Sequence, residues 1–279
     1  NWATTRPQCA GSGTLPCSAW RDRHAASARP APGNDCTAVP ELQLRQVLFS
    51  QGFGTRRECD ALILHGLVQV GGQVLDDPGA EIAAEGLVFS VQGHAWTYHA
   101  QALLMMNKPP GYECSRKPKH HPSVLSLLPA PLRNRDVQPI GRLDEDTTGL
   151  LLLSDDGQFI HRMSSPKKHV PKVYEVVTKH PATDVQVQRL LDGVVLDDDP
   201  RPVRAAACVV AGEHALHLTL TEGKYHQVKR MVAAAGNRVE GLHRSRIGDL
   251  VLPPDLLPGQ WRWLLPADLA LLRAPGATG

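Results

Sequence analysis

Three consecutive carboxylates are the side chains of this 279-residue sequence best placed to do chemistry: Asp144, Glu145 and Asp146. Arg142 precedes them, and the apolar run 150–153 follows shortly after. Because such a run predicts a fully buried strand, the carboxylates are expected at the edge of a core, where a low dielectric strengthens charge interactions. An aspartate or glutamate in that position can act as a nucleophile without a metal.

Two other interpretations of the acidic loop stay open on residue types alone. The first is a calcium or magnesium loop, although such loops place their carboxylates at alternate positions and these three are consecutive. The second is a capped acidic turn with only a structural role. The chemistry of the loop therefore depends on what the rest of the chain provides around it.

Positive charge is concentrated in two stretches of a chain whose net charge is only +2. Segments 162–179 and 224–248 each contain several lysines and arginines but a single glutamate. Two separate basic clusters in a nearly neutral chain indicate a focused anionic partner, and a solvated, helix-rich surface is the alternative.

Composition excludes some classes of protein. No apolar run approaches the ~18 residues of a membrane span, so no membrane partner is expected. Six cysteines without a C-x-x-C spacing argue against a disulfide scaffold or a zinc ribbon. A reduced, cytoplasmic compartment fits this cysteine usage best.

Changes in composition divide the chain into four segments. Residues 1–40 are rich in Pro, Ala, Ser and Arg without apolar periodicity, so they are expected to be a disordered or extraneous tail upstream of a true start near Val39 or Leu42. Residues 41–92 predict two short helices and a small sheet, 93–102 a linker, and 103–273 a larger domain. In that last segment, several predicted strands with intervening helices indicate an α+β fold around a mixed sheet.

The segment 41–92 resembles the S4 RNA-binding domain. The resemblance rests on the helix start Thr55-Arg56, which opens a capping box with Glu58, and on the turn and strand 66–72, Gly-Leu-Val-Gln-Val-Gly-Gly. It implies that Arg56 contacts RNA. Because acidic residues outnumber basic ones in this module, its RNA contacts are expected to be weakened or redistributed, and a small cap that binds nothing is the alternative.

The larger domain resembles the RsuA family of pseudouridine synthases, which act on ribosomal RNA. Four blocks carry the resemblance, in order and at fitting separations: Asn107-Lys108-Pro109-Pro110-Gly111, the segment 141–157, the segment 165–176, and the segment 222–231. The resemblance implies isomerisation of a uridine to pseudouridine without a cofactor or metal. The uridine would be flipped out of its RNA stack before the reaction.

The resemblance also implies a role for individual residues. Asp144 corresponds to the catalytic nucleophile, Tyr174 to a tyrosine that packs against the base, and Lys229 to a basic residue that pairs with the aspartate. RNA contacts are expected from a larger set of polar and basic side chains: Arg56, Lys108, Arg142, Lys167, Lys168, Lys172, Lys224, His226, Gln227 and Arg230.

The segments 146–148 and 225–230 favour the branch that acts on 16S ribosomal RNA of the small subunit. The expected partner is ribosomal RNA, either naked or within a pre-ribosomal small-subunit particle, and the chain is expected to act as a monomer. Three alternatives stay open: a synthase for large-subunit (23S) RNA, a non-catalytic RNA-binding assembly factor, and a metal-dependent phosphoesterase that uses the acidic loop.

Overall fold

The computed structural model describes residues 41–165 and 169–272. The predicted tail over 1–40, the predicted RNA contacts Lys167 and Lys168, and the last residue of the predicted 103–273 domain lie outside the described residues. None of the described helices is long and apolar enough to cross a membrane.

The first part of the chain packs two helices against small sheets. Strand β1 (Glu41–Gln43) comes first and is followed by the two helices, α1 (Leu44–Ser50) and α2 (Arg56–Leu64). Five short strands come next: β2 (Val68–Val70), β3 (Gln73–Val74), β4 (Glu81–Ala83), β5 (Val88–Val91) and β6 (His94–Thr97). Strands β3, β2, β5 and β6 form one sheet in that order, and β1 pairs with β4. Both helices bury apolar side chains in one core, among them Leu44, Leu48 and Ile63.

The capping box predicted at the start of α2 is confirmed. The Thr55 hydroxyl accepts a hydrogen bond from the Glu58 backbone N–H at 3.3 Å, and a Glu58 carboxylate oxygen accepts one from the Thr55 N–H at 2.7 Å. These two bonds satisfy donors that a helix start otherwise leaves free, so local sequence alone fixes where α2 begins.

The linker predicted over 93–102 is wrong at its start, because His94–Thr97 forms β6 and pairs with β5. Gln92 and Gly93 both have positive φ, 52° and 79°, and make the tight turn of this hairpin. Trp96 then packs edge-on against Phe53 with ring centroids 5.4 Å apart. The polar composition of the segment gives little sign of a strand in the sequence, because only one face of β6 packs against the rest of the protein.

The larger part is built on one mixed sheet with helices around it. Its elements are β7 (Leu103–Lys108), a 3-10 helix (Val124–Leu127), α3 (Ala130–Asn134), β8 (Gln138–Ile140), β9 (Thr148–Ser154), α4 (Gly157–Ser164), β10 (Lys172–Thr178), α5 (Asp184–Asp192), β11 (Val194–Leu196), β12 (Asp199–Val203), β13 (Ala207–Gly212), β14 (Ala215–Leu220), α6 (Gln227–Ala234), β15 (Val239–Ile247), β16 (Leu250–Val251), β17 (Trp261–Trp263) and α7 (Pro266–Leu271). The order across the sheet is β13-β14-β10-β15-β9-β7-β17, with β8 and β16 attached to β9 and β15. The pairing of β15 with β9 is parallel, whereas the neighbouring pairings are antiparallel, which confirms the α+β fold with a mixed sheet.

Strand β9 lies in the middle of this domain and is buried on both faces. Leu151 and Leu153 belong to one apolar core, and Leu150 and Leu152 belong to the core on the opposite face. The continuous apolar run therefore reflects a strand covered twice, as the sequence predicts.

Four residues lie side by side across the sheet where β9 begins. Lys108 on β7 is registered with Gly149 on β9, Gly149 with Arg244 on β15, and Arg244 with Tyr174 on β10. Gly149 has φ +105°, and a Cβ there would lie 2.3 Å from the Arg244 carbonyl oxygen. Only glycine allows β9 and β15 to approach this closely directly after the acidic loop.

The S4-like part is attached to the larger domain by a polar network around Arg135 and Gln51. The Arg135 guanidinium donates to the Gln51 side-chain oxygen at 3.0 Å and to the Asp155 carboxylate at 2.8 Å. Gln51 Oε1 also accepts from the Trp96 indole N–H at 3.2 Å. His99 stacks on Trp263 with ring centroids 3.7 Å apart, so aromatic packing accompanies the polar contacts.

We expect Gly149→Ala to destabilise the protein, because a non-glycine residue at this φ is strained by about 1–3 kcal/mol and its Cβ collides with β15. Thermal unfolding should show a melting temperature at least about 2 °C lower. Gly157→Ala is the matched control, since a Cβ at Gly157 has no neighbour within 4 Å and no positive φ. Equal melting temperatures for the two variants would contradict the steric argument.

Candidate active site

The ammonium group of Lys108 holds the acidic loop in place through hydrogen bonds to its backbone. Its Nζ donates hydrogen bonds to the carbonyl oxygens of Pro109 at 3.1 Å, Glu145 at 3.1 Å and Thr147 at 2.8 Å. The Gly111 N–H adds a bond to the same Glu145 carbonyl at 2.8 Å. Lys108 is 0% exposed, and burial lowers its pKa, while the nearby carboxylates of the loop act in the opposite direction.

The RNA contact predicted for Lys108 does not fit this geometry. Its three N–H donors already have three carbonyl partners, and its side chain is inaccessible to a phosphate. The sequence Asn-Lys-Pro-Pro-Gly is typical of an exposed loop, and a charged residue gives no local sign that it is buried. Lys108 therefore fixes the loop rather than a ligand.

Asp144 lies on this loop with a basic partner at each carboxylate oxygen. His226 Nε2 is 3.1 Å from one oxygen, and Lys229 Nζ is 3.4 Å from the other. The turn is closed by a hydrogen bond from the Thr147 N–H to the Asp144 carbonyl at 3.1 Å. Asp144 is thus the one carboxylate of the described acidic loop that meets both of these side chains.

Lys229 lies close to Asp144, as expected, but its shorter contacts are to Asp146. Nζ is 2.7 and 2.8 Å from the two Asp146 oxygens. Burial alone would lower the pKa of Lys229, but the hydrogen bond with Asp146 and the charges of Asp144 and Asp146 raise it above its usual value. The ammonium stays charged and bridges the two carboxylates.

His226, for which the sequence predicts an RNA contact, lies partly exposed beside Asp144. It precedes α6 in the left-handed conformation, with φ 47° and ψ 34°, and its Nε2 faces Asp144. His226 and Lys229 are three residues apart, one directly before α6 and the other in its first turn, so both side chains lie at the start of the helix. That spacing is the sequence signal that indicates a joint contact with Asp144.

Gln227 is also placed differently from its predicted role as an RNA contact. The side chain is buried, accepts a hydrogen bond from the Lys224 N–H at 2.8 Å and donates one to Glu222 Oε1 at 2.9 Å. Both amide atoms are used inside the protein. Gln227 therefore braces the loop 222–226 that carries His226.

Tyr174 and Arg244 form the buried floor beside this loop. Arg244 is 2% exposed, its Nε donates to the Leu150 carbonyl at 2.8 Å, and one terminal nitrogen is buried without a hydrogen-bond partner. Lys172 lies on the same strand as Tyr174, two residues before it. Burial, with the Arg244 charge as a second cause, lowers the pKa of Lys172 to about 8.

The other predicted RNA contacts are distributed over two surfaces. Arg142 is exposed two residues before Asp144, and Arg230 forms an ion pair with Asp198 on the helix that carries Lys229. Lys224 is partly exposed in the preceding loop. Arg56 lies on the S4-like part, over the Phe49 ring at 5.3 Å.

No group of three or more His, Cys, Asp or Glu side chains within 41–165 and 169–272 is arranged to hold a metal ion. The acidic loop instead directs two of its carboxylates towards Lys229.

Comparisons with known proteins assign both parts of the chain. The family model for RNA pseudouridylate synthase matches residues 102–234, and the model for the S4 domain matches residues 44–88. The ribosomal small subunit pseudouridine synthase A of Yersinia pestis is 47% identical over 61% of this chain and 72% of its own length.

Two further relatives extend over most of the chain. An uncharacterised RNA pseudouridine synthase of Bacillus subtilis, YtzG, is 37% identical over 85% of this chain and 100% of its own. A crystal structure of a pseudouridylate synthase is 34% identical, covers 83% of this chain and 99% of its own, and superposes with a TM-score of 0.59. With this agreement in sequence, domain order and fold, the chain belongs to the RNA pseudouridylate synthase family and has an S4 domain ahead of its catalytic domain.

Proposed function

We propose that this protein isomerises a specific uridine of 16S ribosomal RNA to pseudouridine, with Asp144 as the nucleophile. The observation that carries the proposal is the placement of Asp144. Its backbone carbonyl accepts a hydrogen bond within the loop, and its two carboxylate oxygens contact His226 and Lys229. The choice of small-subunit RNA follows from the names of relatives that are 36–47% identical.

The reaction requires one bond to break and another to form around a single sugar. Asp144 attacks either the ribose or the pyrimidine ring, and the bond between N1 of the uracil and C1′ of the ribose breaks. The uracil rotates and its C5 bonds to C1′, while the bond to Asp144 breaks and returns the free carboxylate. C5 then loses its proton, and N1 gains one. No electrons are gained or lost overall, so the isomerisation needs no redox partner.

Fixed charges around Asp144 suit this sequence of steps. A nucleophilic carboxylate must be ionised and aimed at its target. The Lys229 ammonium compensates the charge of both Asp144 and Asp146, and His226 fixes the direction of one Asp144 oxygen. Lysine supplies charge without the bidentate geometry of arginine, so the second oxygen keeps freedom to move towards the substrate.

Tyr174 and the basic surface complete the proposed site. The target uridine must leave its RNA stack before Asp144 can reach it, at a cost of a few kcal/mol. We assign Tyr174 to packing against the extruded base. Phosphate contacts from Arg142, Lys172 and Lys224, with Arg56 on the S4 domain, then offset that cost.

Several finer expectations stay predictions. These are the monomeric state, the cytoplasmic location, and the choice between naked RNA and a pre-ribosomal particle as substrate. Activity on 23S RNA alone would replace the proposed target, and RNA binding without any turnover would favour the assembly-factor alternative.

We expect Asp144→Asn to abolish turnover while folding and RNA binding persist, because an amide keeps the shape of the carboxylate but not its nucleophilicity. Release of tritium from C5-labelled uridine in an unmodified 16S RNA transcript should fall on the order of a thousandfold or more. C5 loses its hydrogen when it becomes the new glycosidic carbon, so this release reports the reaction itself.

Glu145→Gln is the matched control for that experiment, since it removes the same charge from the next residue of the same loop. The Glu145 side chain is exposed, and only its backbone carbonyl contacts Lys108. We expect Glu145→Gln to keep turnover. If both variants lost turnover equally, the effect would be one of loop charge, and the nucleophile assignment would be wrong.

RNA affinity should decline as pH rises from about 7 to 9, because the Lys172 pKa of about 8 leaves its ammonium charged below that range and neutral above it. A bound phosphate favours the charged form, so binding takes up a proton at the upper end of the range. Lys172→Arg, which stays charged, should bind with little of this decline in filter-binding measurements at constant salt.

Lys179→Arg provides the comparison, because Lys179 is exposed one residue beyond the end of the same strand. That variant should keep the pH dependence of the wild-type protein. A decline of the same size in Lys172→Arg would show that other groups cause it.

A further inference from the structure

Tyr225 is a large aromatic side chain left in solvent beside the proposed catalytic carboxylate. It is 71% exposed, the highest value among the exposed large apolar side chains of the described residues. Aromatic residues make up only 5% of the chain, so an aromatic ring left largely exposed to solvent is unusual here.

The ring of Tyr225 is not loose, because one of its faces is covered by His226. The two rings are stacked with centroids 3.8 Å apart and an interplanar angle of 20°. The covered face therefore lies against the imidazole whose Nε2 contacts Asp144 at 3.1 Å. The opposite face of Tyr225 is the one that remains for a ligand.

The loop that presents Tyr225 is braced on both sides. Gln227 binds the Lys224 N–H and Glu222, and the Arg230 guanidinium donates to the Tyr225 carbonyl at 3.3 Å. His226 holds a left-handed backbone conformation that non-glycine residues adopt rarely and at a cost. A strained, braced loop that aims an aromatic ring outwards is a pre-organised binding surface.

The surroundings of Tyr225 select the class of ligand. The segment 222–227 contains no apolar residue besides Tyr225, and basic residues Lys224, Lys229 and Arg230 lie close to it in sequence. Lys229 is paired with Asp144 and Asp146, and Arg230 with Asp198. An apolar protein partner would need a wider apolar patch. A nucleobase needs one flat, accessible ring to stack on, which Tyr225 offers.

We propose that the outer face of Tyr225 is a stacking site for a nucleobase adjacent to the target uridine. When the uridine is extruded, the neighbouring base loses a stacking partner, and Tyr225 replaces it. The Tyr225–His226 stack then connects the RNA directly to the residue that contacts Asp144. This inference rests on the proposed function, and it adds a ligand site to it.

Two measurements on the full-length protein test the stacking site. The first uses a 16S RNA transcript with 5-iodouridine in place of uridine, irradiated in complex with Asp144→Asn, followed by mass spectrometry of the cross-linked peptide. The second measures single-turnover tritium release from the C5-labelled transcript for Tyr225→Leu and Tyr225→Phe, over a range of enzyme concentrations.

We expect the cross-link to map to Tyr225, and Tyr225→Leu to raise the enzyme concentration for half-maximal rate about fivefold or more, since one base–aromatic stack corresponds to at least about that factor. Tyr225→Phe should restore most of the affinity that leucine loses, because stacking needs the ring and not the hydroxyl. Val185→Ala, an exposed apolar residue on α5, should leave both measurements unchanged.

The opposite results separate the possible failures. A cross-link elsewhere, or equal half-maximal concentrations for Tyr225→Leu and the wild-type protein, would overturn the stacking site. Weaker binding of Tyr225→Leu to assembled small-subunit particles but not to naked RNA would assign Tyr225 to a protein partner instead. A wild-type protein that cross-links through Tyr225 but releases no tritium would refute the proposed function and keep the stacking site.

Discussion

The contact between the Lys108 ammonium and three backbone carbonyls is the interaction on which the candidate site depends. A buried ammonium costs several kcal/mol in lost hydration. Hydrogen bonds to a charged donor are worth about 1.5–3 kcal/mol each, so three of them bring the balance near zero. The main effect of the contact is therefore to fix the conformation of the loop, because the carbonyls of Glu145 and Thr147 must both point at Nζ. This loop conformation determines the position of Asp144.

The features that sequence reasoning predicted correctly are those with local or periodic signals. The capping box at Thr55 lies within four residues, and the burial of β9 is visible as an uninterrupted apolar run. The features it missed depend on distant partners. Lys108 meets residues 37 and 39 positions away, and charge gives no sign of whether a side chain is buried. Sequence also predicts an RNA contact for Gln227, because an amide that braces a loop has the same sequence signature as one that binds a ligand.

The basic clusters also show what composition can and cannot distinguish. Arg244 and Lys229 belong to the same basic stretch, yet Arg244 is buried in the sheet and Lys229 bridges two carboxylates. Counting charges along the chain predicts an anionic partner, but it does not separate cations that hold the fold from cations that meet the solvent. Strand register makes that separation, because Arg244 is confined between Gly149 and Tyr174.

Strand β9 joins the two functional parts of the molecule. The acidic loop leads directly into the first residue of β9, Thr148. Asp155 follows the last residue of the strand and accepts a hydrogen bond from Arg135, which belongs to the network that attaches the S4 domain. Seven residues of extended strand measure about 20 Å, at roughly 3.3 Å a residue. Because the strand is buried on both faces, this separation is fixed. An RNA that contacts both Asp144 and the S4 domain must therefore bridge a fixed separation.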